Sequence, residues 1–315
     1  MRRTPNFDLL RLFVALEVLW GHCANRFHGF AVFALLPVPA FVCLSGYLIP
    51  ASFEASRSYG HFAAKRALRV MPAFLVSLIL VYALFGTPAL WPTFLTYLTA
   101  GAISAQYNGP LWSLMVEEIL YAFHALTRRF FSIPVLGTLA VLTFPLMWWH
   151  PFANLEHFAA VESFFAGNLL YLTRNRWHTW KWQPLAAVAL GLVSVYVLQI
   201  TDLWIPASPF ACAFVVMALH QMPQARIRIP DLSYGIYVYH YPVMTYCLAR
   251  GFSGYPMAFT VLGSALTISL ASWYLVEAPA LSLKSRFAGK VKPGQKELST
   301  GSPESESVSF SKVTS

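Results

Sequence analysis

Charge is scarce in this chain. Asp, Glu, Lys and Arg make up 11% of its 315 residues, where a soluble domain carries about 25%. With 57% hydrophobic residues and a mean hydropathy of +0.55, the composition argues against a soluble enzyme and predicts a polytopic membrane protein. Cysteine is also rare. Cys23, Cys43, Cys212 and Cys247 lie in or beside apolar runs, with no CxxC or Cys/His ligand spacing. They read as small buried hydrophobes rather than as disulfides or a zinc site. Internal repeats, a Walker loop and a GxGxxG opening a helix are all missing. No metal and no permanently bound cofactor is expected, and no soluble domain at either end. The first apolar run is too long and too polar inside for a cleaved leader and has no small-residue cleavage site.

What the chain has instead is apolar runs of membrane length. Runs of roughly 17–20 apolar residues predict an all-α membrane domain over 1–280 with about ten spans. These are 8–25, 32–49, 70–86, 111–127, 132–149, 156–173, 183–200, 203–220, 232–250 and 257–276. The stretch 88–104 is also apolar and reads as an eleventh span or a re-entrant segment. Positive charge arbitrates. With ten spans and a cytoplasmic N-terminus, 19 of the 22 Lys and Arg residues lie inside, and only Arg26 and Arg250 outside. That is the positive-inside pattern. A crossing at 88–104 would put Arg128 and Arg129 outside, so the segment is expected not to cross. The net charge of +9 is thus a topology signal, and no nucleic-acid partner is expected. Both termini are predicted to be cytoplasmic, and 281–315, rich in Lys, Ser and Glu, to be a disordered tail.

The first span holds charges that lipid does not welcome. Asp8, Arg11, Glu17 and His22 fall within an otherwise apolar stretch, and ionisable groups at membrane depth are functional candidates. Arg11 and His22 are eleven residues apart, about three turns, so they share a helix face roughly 16 Å apart along the axis. They cannot touch, but they suit two ends of one long substrate. Asp8 and Arg11 are spaced for a local ion pair.

Further polar phrases recur along the chain. They are Phe41-Val42-Cys43-Leu44-Ser45-Gly46-Tyr47, Arg66-Ala67-Leu68-Arg69-Val70-Met71-Pro72, Leu111-Trp112-Ser113-Leu114-Met115-Val116-Glu117, Ser233-Tyr234-Gly235-Ile236-Tyr237-Val238-Tyr239-His240, and Glu277-Ala278-Pro279. With D-x-x-R and R-x10-H in the first span, they give F-x-x-S-G-Y, R-x-x-R-x-x-P, L-W-S-L-x-x-E, S-Y-G-I-Y-x-x-H and E-x-P in order. On these motifs the chain resembles the acyltransferase 3 family, integral-membrane O-acyltransferases of bacterial glycans, from about residue 6 to 280. Glu17 departs from the pattern, standing where an apolar residue is expected. The extra C-terminal helix and extracytoplasmic domain of some relatives are not seen.

The resemblance implies acyl-CoA, acetyl-CoA first, as donor substrate. It implies a hydroxyl of a cell-envelope or exported polysaccharide or glycolipid as acceptor, and a place in the bacterial inner membrane. The chemistry needs a base for the hydroxyl proton and donors aimed at the oxyanion. His22, near the outer end of its helix, is expected to be that base. Arg11, Arg66 and Arg69 are expected to hold the CoA phosphates while the pantetheine arm reaches towards His22. Glu117 is expected to orient His22 or bind a sugar hydroxyl. His240 reads either as a second acid/base group or as part of a structural network with its tyrosine neighbours, among them Tyr237. Ser45 and Ser113 are more often packing aids than nucleophiles in such helices, and Trp112 reads as an interface anchor. The alternative function is a secondary transporter or exporter with a buried Arg/His/Glu pathway. Transporters, however, commonly show two related halves, and neither the R-x10-H nor the L-W-S-L-x-x-E phrase has a second copy.

Overall fold

The computed structural model describes residues 4–27, 36–103, 106–143, 155–177, 204–226 and 229–283. Among them it is helical throughout, with no strand. The expected span 183–200 and the expected disordered tail beyond 283 lie outside the described residues.

Helix α1 (Pro5–Asn25) and helix α2 (Pro37–Glu54) both open on proline, whose missing N–H costs nothing in a first turn. Helix α3 (Tyr59–Phe85) starts where Ser58 Oγ accepts from the His61 amide at 3.1 Å, and ends at Gly86, φ +78. This corrects the expected start at 70. With Ser58 as N-cap, the helix runs through Lys65, Arg66 and Arg69, which therefore sit on its early turns rather than in a loop. A 3₁₀ turn at Thr87–Ala89 leads into α4 (Leu90–Leu98). Nine residues rise only about 13 Å, against a bilayer core of ~30 Å. Helix α5 (Leu111–Thr127) keeps its expected bounds. Then come α6 (Ile133–Thr143), α7 (Leu155–Trp177), α8 (Trp204–Gln221), α9 (Ser233–Ala249) and α10 (Gly254–Ser272). A π turn, Trp273–Glu277, joins α10 to the short α11 (Ala278–Ser282).

Helix α9 is the central element. It packs against α1, α3 and α10, and Ile236, Val238, Tyr239, His240 and Met244 are all fully buried. A helix apolar on every side belongs inside a bundle. Polar ties fix its neighbours. The Tyr239 hydroxyl lies 2.7 Å from Ser272 Oγ, which donates to Glu277 at 2.8 Å. Tyr97 donates to Glu118 at 2.7 Å, holding α4 to α5. The tightest crossing joins α2 and α7. A Cβ at Gly46 would collide with the Phe164 carbonyl, and one at Gly167 with the Cys43 carbonyl and Tyr47 amide. Small residues at such a crossing let two backbones touch.

Among the described residues, many large apolar side chains stand on the outside of the bundle. Leu75, Ile79 and Tyr82 on α3 are 54–65% exposed, and Leu275 is 76% exposed. The three α3 residues face away from the buried Ala73, Phe74 and Val81 of the same helix. Water does not tolerate a continuous surface of this kind, whereas lipid does. Two helical stretches, Tyr59–Phe85 and Gly254–Ser282, are long and apolar enough to cross a membrane by length and composition. The four cysteines are buried and free.

Candidate active site

Two cavities lie one above the other along α1. The first, about 480 Å³, is lined by Asp8, Arg11, Ser45, Ser52, Lys65, Arg66, Arg69, Ser113, Glu117, Tyr121, Tyr234 and Tyr237, with apolar walls from α2. Helix α2 contributes Val38, Phe41, Val42, Ser45, Leu48, Ile49 and Ser52, a spacing of three and four that makes one continuous helical face. From Val38 to Ser52 this face runs roughly 21 Å. The second cavity, about 590 Å³, is lined by His22, Asn25, Pro37, Val38, Trp112, Glu156, His157, Tyr237 and Tyr241 among others. The lower turns of α1 thus present Arg11 to one space and the upper turns His22 to the other.

The arginine cavity gathers most of the residues singled out in the sequence. Arg11 Nη1 is 3.3 Å from Asp8 Oδ1. Arg69 Nη2 is 2.6 Å from Asp231 Oδ2, and Ser233 Oγ donates to Asp231 Oδ1 at 2.7 Å. Burial alone would raise the Asp231 carboxyl, but Arg69, with Arg11 behind it, overrides that and holds it well below the usual carboxylate range. Arg66 is held differently. Its Nη2 donates to Ser52 Oγ at 3.3 Å, and its guanidinium lies 6.0 Å from the Phe62 ring centroid and 5.8 Å from that of Tyr121. Among the described residues it has no carboxylate in ion-pair contact.

Glu117 belongs to this cavity and not to His22. Ser45 and Tyr121 both donate to its Oε1, and the two hydroxyl oxygens lie 3.1 Å apart. The expectation that Glu117 orients His22 is therefore corrected. Glu117 and Tyr121 are four apart on α5 and share a face, which turns towards Ser45 on α2. Tyr121 and Asp231 were not anticipated. The i+4 spacing of Tyr121 from Glu117 was a usable signal, whereas Asp231 carried none beyond its place ahead of Ser233.

What orients His22 is His240. His22 Nδ1 is 2.8 Å from His240 Nε2, with the rings stacked at 5.1 Å and 15°. His240 Nδ1 is 2.9 Å from the Ile236 carbonyl. A carbonyl only accepts, so His240 Nδ1 carries the proton. With both rings neutral, His240 Nε2 must accept and His22 Nδ1 must donate. This leaves the lone pair on His22 Nε2, which has no protein partner among the described residues, in a residue that lines the second cavity. The Tyr241 ring stands edge-on to His22 at 5.3 Å. A second histidine that fixes the tautomer of the first is the arrangement a general base needs.

Trp112, read from the sequence as an interface anchor, is also a wall of this second cavity. Its ring packs on His157 at 4.2 Å, and a Cβ at Gly101, φ +84, would come within 2.8 Å of the Trp112 Cβ. Ser113 lines the first cavity, its Oγ 2.7 Å from the hydroxyl of Tyr237, which lines both.

With this geometry in hand, comparison with known proteins places the chain. A family model described as an acyltransferase domain, acyltransferase 3, matches residues 4–276. Nodulation protein 10 of Rhizobium leguminosarum bv. viciae is 30% identical, the alignment covering 90% of this chain and 95% of that protein. An O-acetyl transferase of Shigella phage Sf6 is 25% identical, covering 90% of this chain and 98% of that protein. No solved structure matches.

Proposed function

Because this chain belongs to the acyltransferase 3 family of membrane O-acyltransferases, we propose that it moves an acyl group, acetyl first, from acyl-CoA to a hydroxyl of an envelope or exported glycan. The observation that carries this reading is the stacking of two cavities along α1, one basic and one holding an oriented, unprotonated His22 Nε2. CoA is anionic and made in the cytoplasm, so its phosphates belong with Arg11, Arg66 and Arg69. The pantetheine arm then runs along the α2 face towards His22. A glycan hydroxyl enters the second cavity, where Asn25, Glu156 and His157 offer polar partners.

The step balances without a cofactor. The acceptor hydroxyl gives its proton to His22 Nε2 as its oxygen attacks the thioester carbonyl. The C–S bond then breaks, and the CoA sulfur takes the proton back from His22. The ester stays on the glycan and free CoA withdraws. Direct transfer is favoured over an acyl-serine intermediate, because Ser45 is tied to Glu117 and Tyr121 in the arginine cavity, away from His22. The reading is tested by structural analysis of surface glycans from cells with and without the protein. Loss of an ester is the expected result, and unchanged glycan acylation would overturn it.

We further propose ten spans in the inner membrane, with both termini cytoplasmic. The placement of 19 of the 22 basic residues on one side supports this, as does the shortness of α4. Reporter fusions at Ser315 and within 251–256 are expected to report cytoplasm and periplasm respectively. A periplasmic C-terminus would overturn the span count.

A further inference from the structure

The two cavities share two wall residues, Val38 and Tyr237. Val38 stands in the first turn of α2. Tyr237 reaches across from α9, its hydroxyl 2.7 Å from Ser113 Oγ and 3.2 Å from the Pro110 carbonyl that it donates to. Phe41, one turn on from Val38, packs edge-on against the Tyr237 ring at 5.5 Å and 70°. The ring is buried, at 5% exposure, and moving it aside would break both hydrogen bonds away from water, where an unmade bond is costly. Tyr237 and His240 are three apart on α9, so this constriction lies about one turn, roughly 5 Å, to the arginine side of the histidine that holds His22.

We propose that Val38 and Tyr237 form a neck that selects the acyl group by its cross-section. This rests on the reading that the donor enters through the arginine cavity. A thioester carbonyl presented to His22 must have its pantetheine arm in the neck and its acyl chain already beyond it. Every acyl group must therefore pass the neck head-first before it reacts. A straight chain is no wider than the arm that follows it. A chain branched at the carbon next to the carbonyl is wider. The neck therefore discriminates branching and is indifferent to length. One methyl group in a fitted apolar passage is worth on the order of 10–200-fold in rate.

The test compares n-butyryl-CoA with isobutyryl-CoA, which have the same atoms and charge and differ only in shape. Membranes from cells making the protein receive each labelled donor, and label in the polysaccharide fraction is counted above a His22→Gln background. Wild type is expected to prefer the straight chain by about tenfold or more. Val38→Ala is expected to widen the neck and bring the two donors within about threefold of each other. Tyr237→Phe keeps the ring but frees it from Ser113 and Pro110, and is expected to relax the preference as well. Because each preference is a ratio within one variant, differences in expression or folding cancel. A ratio that stays at the wild-type value in both variants overturns the neck and leaves acyl-CoA as donor. An absence of label from every acyl-CoA in wild type overturns both.

Discussion

Replacing His22 with Gln is expected to erase ester formation while the protein still inserts and accumulates. Loss of a general base costs roughly 10²–10⁴ in rate, which reduces glycan acylation in cells to background. The glutamine variant is sharper than alanine because of the hydrogen bond found at this site. His22 donates from Nδ1 to His240 Nε2 at 2.8 Å, and a glutamine amide, set one bond further from the backbone than Nδ1, retains an N–H that can turn to that nitrogen. His240 then keeps its partner, as well as its own bond to the Ile236 carbonyl. What glutamine cannot replace is the basic lone pair at Nε2. A structural role would survive this change and a catalytic one would not. The measurement is glycan ester content at matched protein level. Wild-type ester content in His22→Gln would make His22 structural and send the search for the base to His240 or Glu117.

Much of the bundle was legible in the sequence because lipid enforces it. Helix α5 keeps its expected limits, from Leu111 to Thr127, since an apolar run flanked by Pro110 and by Arg128 and Arg129 has few other ways to fold. The start of α3 was missed. Hydropathy finds where apolar residues begin, and this helix begins at Tyr59, in a polar stretch where only the Ser58 cap announces it. The α2–α7 crossing at Gly46 and Gly167 was equally out of reach. A glycine in a run shows that something can come close, and does not name the helix that does.

The same limit separates the parts of the site that were foreseen from those that were not. Spacing alone put Arg11 and His22 on one face of α1, and the structure gives each its own cavity on that face. Spacing could not say that His240, 218 residues away, would meet His22 rather than join its own tyrosines. Nor could it say that Glu117 would turn to Ser45 and Tyr121. Periodicity fixes the direction of a side chain about its own axis, and partnership depends on which helix lies in that direction. Arg66 and Arg69 look equivalent in the phrase R-x-x-R-x-x-P, and only their surroundings tell them apart.

Those surroundings make Arg66→Ala the cleanest probe of donor binding. Arg69 already spends its charge on Asp231 at 2.6 Å. Removing it leaves a largely buried carboxylate without its ion-pair partner, held only by the Ser233 hydroxyl and the more distant Arg11, and breaking a buried pair costs about 3 kcal/mol, so Arg69→Ala is expected to lower protein yield and to confuse any kinetic reading. Asp231→Asn in the same chain should recover that yield. Arg66 has no carboxylate in ion-pair contact among the described residues: its direct contacts are the Ser52 hydroxyl and two ring faces, and Glu117 acts on its charge only from across the cavity. Its guanidinium is free to meet a phosphate, and a hydrogen bond to a charged group contributes about 1.5–3 kcal/mol, or roughly 10–150-fold. Arg66→Ala is therefore expected to raise the apparent KM for acyl-CoA by a factor in that range, with the acceptor dependence little changed. Kinetics with varied acyl-CoA in reconstituted membranes decide it. An unchanged donor KM would reduce Arg66 to a topological anchor and leave the basic cavity without a demonstrated ligand, because its other two arginines, Arg11 and Arg69, are each paired with an aspartate, and its lysine, Lys65, donates to the Ala55 carbonyl and the Ser56 hydroxyl.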